Sequence, residues 1–334
     1  MKKRLISLLA CILVFAIVFG VGASAAVITT GLPDGLDESC YAGTSAGRIV
    51  VEEEVPGAEV IYDLPYCGDN STSYQNLHLV LPEEQGEEKL PVLIVVHGGV
   101  WSSGNSEEDH RVQITDRAGL HALKYGYAVA LVDYSIRNKE NEVALPNQFY
   151  EIKAAVRFLR SIAEEYNLDA DRVALLGESA GGHLCNMVGV TNGEAEYDLE
   201  ELGNIEFSSE VQAVIGQYSL CDLKNENDSM LTRLCGVDVA TMEKKERNAL
   251  IASISPISHV DETDPPFYLE HGLADKTVSY TQSCDLYNAL IEAGNNKSEL
   301  HLYPGMDHGV AWFQSEENAE GFLTWLNNLF GIET

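Results

Sequence analysis

Consecutive apolar runs set the frame of this chain. Residues 92–96, 128–132, 173–176 and 211–215 are short stretches dominated by Val, Ile, Leu and Ala. Runs of that length without strict polar alternation predict strands covered on both faces. Residues 267–270 and 299–303 predict two later strands, and 58–64 with 76–81 predict an antiparallel pair near the start. Between these runs the period lengthens. Within 148–166, Ile152, Ala155, Val156, Leu159, Ile162 and Ala163 recur at helical spacing, and 280–293 and 316–330 behave in the same way. Such alternation predicts an α/β fold, a mainly parallel twisted sheet of about eight strands with helices on both faces.

Three regions depart from the pattern. Residues 1–26 open with Lys2, Lys3 and Arg4, continue as an apolar run to Ala23 and close on small residues, which predicts a signal peptide or an uncleaved N-terminal anchor. Export to the outside follows, with a membrane-anchored, outward-facing chain as the alternative. Residues 27–57 are Gly-rich and acidic without a period and predict a linker or edge segment ahead of one catalytic domain at 58–334. The acidic stretch 193–210 and the segment 221–253 interrupt the alternation and are expected to form lid insertions.

A net charge of −31 disfavours nucleic acid as a partner, since its phosphates would be repelled. Of the seven cysteines, Cys11 lies in the leader; Cys221 with Cys235, or Cys40 with Cys67, are the candidate disulfides in an exported chain. Cys185 and Cys284 fall in apolar helical segments, where a buried thiol is the expected outcome.

The chemistry concentrates in a few loops that follow strands. Gly177-Glu178-Ser179-Ala180-Gly181 stands between the strand 173–176 and a helical run through Leu184 and Met187, the context in which a sharp turn lifts a serine hydroxyl clear of the backbone. The helix start aims the Ala180 N–H at a developing oxyanion. A second pentad, Gly43-Thr44-Ser45-Ala46-Gly47, has neither the strand nor the helix and reads as a turn. His97-Gly98-Gly99-Val100-Trp101 follows the strand 92–96, where backbone N–H groups of Gly98, Gly99 and Val100 would complete an oxyanion hole. His97 reads as a structural pin for that loop, and Trp101 as either a core residue or a substrate wall.

His308, in Gly305-Met306-Asp307-His308-Gly309 after the strand 299–303, is the candidate base; His78, His110, His121, His259 and His301 read as isolated surface histidines. Asp275, after the strand 267–270, is the candidate acid, with Asp222 as competitor and possible substrate contact. The order Ser179, Asp275, His308 is the one found in α/β-hydrolases.

With these residues placed, the sequence resembles the bacterial feruloyl- and acetyl-esterase-like (BD-FAE-like) carboxylesterases, related to the hormone-sensitive-lipase type, from about residue 58 to 330. The resemblance is carried by His97-Gly98-Gly99-Val100-Trp101, Asp171-Arg172-Val173, Gly177 to Leu184, Ser255-Pro256, Pro265-Pro266-Phe267, His271 to Val278 and Tyr303-Pro304-Gly305. It implies an α/β-hydrolase fold and a serine esterase working through an acyl-enzyme without a cofactor, on small-molecule or oligosaccharide esters. An amide hydrolase of arylformamidase or peptidase type is the alternative. No close metal-ligand spacing is present in the sequence.

Overall fold

In a computed structural model of the chain, residues 27–28, 47–68, 71–106, 110–138 and 142–333 are described. The proposed leader, Cys40 and the Ser45 turn lie outside them. In chain order the elements are β1 (Val27–Ile28), β2 (Arg48–Val50), α1 (Val51–Glu54), β3 (Glu59–Pro65), β4 (Asn76–Leu81), β5 (Leu90–Val96) and β6 (Arg111–Gln113). Then come α2 (Arg117–Leu120), β7 (Ala128–Val132), α3 (Asn147–Ser161), β8 (Leu168–Glu178), α4 (Ala180–Val190) and β9 (Ala213–Gln217). The chain continues through α5 (Asp228–Cys235), α6 (Lys244–Ser253), β10 (Phe267–Gly272), α7 (Thr281–Glu292), β11 (Glu299–Tyr303) and α8 (Glu316–Phe330).

Nine strands form one sheet in the order β1-β11-β10-β9-β8-β5-β7-β4-β3. It is parallel from β1 to β7, while β4 runs antiparallel to β7 and β3 antiparallel to β4. Strands β5 and β7 are apolar throughout because both faces are covered. Val92, Ile94 and Val96 of β5 face one core, with Phe149, Leu184 and Leu286 from α3, α4 and α7; Leu93 and Val95 face the other, with Phe322 and Leu326 from α8. Adjacent residues on a strand thus serve opposite layers, as the two-residue period requires. Local signals fix the ends of α8: the Ser315 side chain accepts from Asn318 N, and Gly331 closes it in the left-handed region at φ 66°.

Two domain expectations change. Residues 47–57 are integrated rather than a linker: β2 pairs with β6, and Val51 is fully buried. Their pieces are only three or four residues long, too short to show a period. The stretch 193–210 is not a lid. Helix α4 leaves the C-terminal end of β8 and carries the chain back to the opposite edge, where Gln212 N donates to Val173 O and Asn192 Oδ1 accepts from Val211 N. There the acidic stretch satisfies buried cations of α3: Asp198 pairs with Arg157 at 2.5 Å, and Ser209 Oγ lies 3.3 Å from Lys153 Nζ. Segment 221–253, by contrast, follows the C-terminal end of β9.

The expected Cys221–Cys235 bridge is absent. Both are free thiols, and Cys221 Sγ turns toward Ser219 and Asn186. Cys67 is likewise a free buried thiol, as is Cys185, while Cys284 is a half-buried one.

Candidate active site

The C-terminal ends of β5, β8, β10 and β11 converge, and each delivers one loop of the site. This is where parallel α/β sheets place their ligands. After β8 the chain turns so sharply into α4 that Ser179 adopts φ 51°, ψ −114°, a conformation strained for a residue with a side chain. Its N–H is held by Gln217 O at 2.9 Å. The turn needs the glycines around it: a Cβ on Gly181 would lie 2.0 Å from Val96 O, and one on Gly177 would lie 2.5 Å from Gly181 O. Both obstacles are backbone atoms. Gly181→Ala is therefore expected to cost about 3 kcal/mol through overpacking. Thermal unfolding checks this, with Gly86→Ala, which has room for its Cβ, as the unchanged control.

Ser179, Asp275 and His308 are brought together. His308 Nε2 lies 3.0 Å from Ser179 Oγ, and Nδ1 lies 2.7 Å from Asp275 Oδ2. Burial opposes charge on Asp275, but hydrogen bonds from His271 and His308 outweigh it and hold the carboxyl well below the usual range. An ionised carboxylate only accepts, so the proton sits on Nδ1 and leaves Nε2 free to receive the serine proton. The second oxygen, Oδ1, accepts from Thr277 N and Val278 N, both at 2.8 Å. Asp307 fastens the two loops together: its Oδ1 accepts from His308 N at 2.9 Å and Lys276 N at 3.0 Å.

Asp222, the competing acid, is occupied elsewhere. Its Oδ1 accepts from Lys224 N, and Oδ2 pairs with Lys224 Nζ, so it belongs to its own turn. Trp101 is a core residue, 2% exposed, packed edge-on against His183 at 5.2 Å. Asp222 is therefore committed to its own turn, while Trp101, though buried, also lines the depression beside Val100. Gly98 leaves the oxyanion donors, because its N–H is given to Glu178 Oε1 at 2.9 Å. The N–H groups of Gly99, Val100 and Ala180 have no hydrogen-bond partner among the described residues. Gly99 and Val100 stand at φ 106° and 57°, and Val100 is 49% exposed. His97 does pin the loop, stacked on Tyr134 at 4.3 Å with Nδ1 2.7 Å from Gly98 O; burial lowers its pKa to about 4.

Several neighbours are not visible in the sequence. Tyr218, in the left-handed region and fully buried, packs edge-on against the His308 ring at 4.8 Å. His271 lies behind Asp275: its Nε2 is 3.0 Å from Val278 O and 3.3 Å from Asp275 Oδ2, while Ser283 Oγ sits 2.8 Å from Nδ1. Beside Val100 a shallow depression is lined by Arg137, Val143, Arg233 and Leu234, which puts part of segment 221–253 at the rim. A larger hollow of about 840 Å³, between β11 and α8, is lined by none of the three converging residues.

A strained serine at a strand-to-helix turn, bonded to an imidazole backed by a buried carboxylate, on a mainly parallel sheet, defines an α/β-hydrolase of the serine type. The chain belongs to the BD-FAE family, whose model matches residues 77–290 and so includes Ser179 and Asp275. It is 27% identical over 198 residues to the probable carboxylic ester hydrolase LipM of Mycobacterium tuberculosis, covering 58% of this chain and 43% of LipM. With the esterase LipQ of the same organism it shares 26% identity over 255 residues, 75% of this chain and 58% of LipQ. The chain thus spans about half the length of the curated relatives it matches. Among solved structures, a truncated carbohydrate esterase from gut microbiota superposes with a TM-score of 0.70 at 27% identity, covering 83% of this chain and 98% of that one.

Proposed function

We propose that the chain is a serine esterase that cleaves short-chain carboxylic esters through an acyl-enzyme, with acetyl or feruloyl groups on plant polysaccharide fragments as the substrate class. The observation that carries it is His308 bridging Ser179 and Asp275. In the first step Ser179 Oγ attacks the ester carbonyl as His308 Nε2 takes its proton, and the oxyanion is received by the N–H groups of Ala180, Gly99 and Val100. His308 then gives the proton to the departing alcohol. Water repeats the sequence on the acyl-enzyme and regenerates Ser179.

The carbohydrate assignment draws on the similarity to the gut-microbiota carbohydrate esterase, and the export reading on the leader pattern at 1–26. An oligosaccharide ester is a substrate met outside the cell, which fits both. Short acyl groups fit the rim. The depression beside Val100 is small and has Arg137 and Arg233 in its lining, a poor shelter for a long hydrocarbon chain. Along a p-nitrophenyl ester series, kcat/KM is expected to be highest at about four carbons or fewer and to fall about tenfold by roughly eight carbons. Rising activity toward octanoate would refute the short-acyl reading. An aminoacyl anilide or N-formylkynurenine turned over faster than every ester would replace it with amide hydrolysis.

A further inference from the structure

We infer that Asp63, His78 and His110 form a binding site for a divalent transition-metal ion of the zinc type, separate from the Ser179 site. The three residues come from β3, from β4 and from the residue just before β6, and one donor atom of each lies within 4.8 Å of the others. Asp63 directs its two carboxylate oxygens at two imidazoles: Oδ1 is 3.9 Å from His78 Nδ1, and Oδ2 is 3.6 Å from His110 Nδ1. Both distances are too long for hydrogen bonds. They are close to the separation of donors that share one ion at about 2.0–2.2 Å, and small rotations of two surface side chains close the rest. No hydrogen bond among the described residues uses either Asp63 carboxylate oxygen.

The backbone and the surroundings favour the same reading. The β3–β4 register shifts between Ile61 and Leu64, and at this bulge Asp63 stands at φ 55°; His110 stands at φ 59°. Bulges re-aim side chains, and Asp and His tolerate this conformation better than most residues. The His78 ring is fixed from behind by Ser106 Oγ, 2.8 Å from Nε2, the outer support that metal-binding imidazoles usually have. The one bond at its Nδ1 is a long 3.2 Å contact from Asp63 N. Tyr62 stacks on His110 at 4.1 Å. Two imidazoles and one carboxylate form a nitrogen-rich set that selects zinc-type ions over calcium or magnesium.

Such an ion would clamp the connection between β5 and β6 to the β3–β4 pair. Ser106 N donates to Asp133 Oδ1 at 2.9 Å, Asn105 Nδ2 to Tyr134 O at 2.8 Å, and Tyr134 OH to His97 O at 3.1 Å. The site therefore braces, from a distance, the loop that presents Gly99 and Val100. It takes no part in ester cleavage.

The test is calorimetric titration of zinc chloride into the chelator-stripped full chain, with thermal unfolding at each zinc concentration. Expected is saturable binding of one zinc per chain with a rise in unfolding midpoint. In His110→Ala and Asp63→Asn, affinity should weaken about tenfold or more and the rise should vanish. Asp63 is exposed and Asn tolerates its left-handed backbone equally, so the zinc-free midpoint of Asp63→Asn should stay at the wild-type value, while the rise in His110→Ala is read against that variant's own zinc-free midpoint. Absence of saturable binding to the wild type overturns the proposal. So does binding that both substitutions leave unchanged, which would place the ion elsewhere on the chain.

Discussion

Asp275→Asn is expected to lower kcat by about 10⁴, the loss seen when a comparable triad loses its carboxylate. The cause lies in the tautomer of the imidazole. An amide donates through its nitrogen, so the substituted side chain can present N–H to His308 Nδ1 and draw the proton to Nε2, the position that must stay open for the Ser179 proton. The surroundings give the amide no relief. Thr277 N and Val278 N already donate to Oδ1, and His271 Nε2 stands 3.3 Å from Oδ2, so an NH₂ group at either position meets a donor. Asp222→Asn tests the alternative acid. Its carboxylate engages Lys224 and its own turn, so kcat should remain near the wild-type value. Steady-state kinetics on one p-nitrophenyl ester separate the two, and a larger loss at Asp222 would move the acid there.

Ser179→Ala carries the largest expected effect, a fall of about 10⁶ in kcat, as in a comparable triad. The substitution removes the attacking atom while leaving the oxyanion donors and the substrate rim in place. Residual turnover of about 10³ to 10⁴ over water is therefore expected rather than none. Alanine at the strained elbow is smaller than serine by one oxygen and keeps the same Cβ, so the fold should persist. Circular dichroism and an unchanged unfolding midpoint check that point.

Much of this site can be read from the chain because its parts are local. Two of the strands that carry the loops, β5 and β8, hold runs apolar on both faces at 92–96 and 173–176 that mark their positions, and each chemical residue sits within a few positions of a strand end. The order Ser179, Asp275, His308 then needs no three-dimensional information. The Gly98 N–H passes for an oxyanion donor in the sequence because nothing local announces that Glu178, 80 residues away, takes it. His271 and Tyr218 escape notice for the same reason: they act through packing between loops. Asp63, His78 and His110 are spread along the chain with no repeating interval, and only the β3–β4 bulge brings them together.

The lid expected at 193–210 fails on topology. An insertion between a helix and the following parallel strand lies at the N-terminal edge of the sheet, whereas one after a strand lies at the C-terminal edge. Counting elements from Ser179 sends 193–210 to the far edge and keeps 221–253 near the site. The acidic composition of 193–210 suggests a solvent-facing flap, while Asp198 in fact answers the buried Arg157.

Mass-spectrometric mapping of a fluorophosphonate adduct on the full chain tests the central claim most directly. A nucleophilic Ser179 predicts a single covalent adduct on the peptide containing that residue, abolished by Ser179→Ala and unchanged by Ser45→Ala. An adduct on Ser45, or labelling that survives Ser179→Ala, would contradict it.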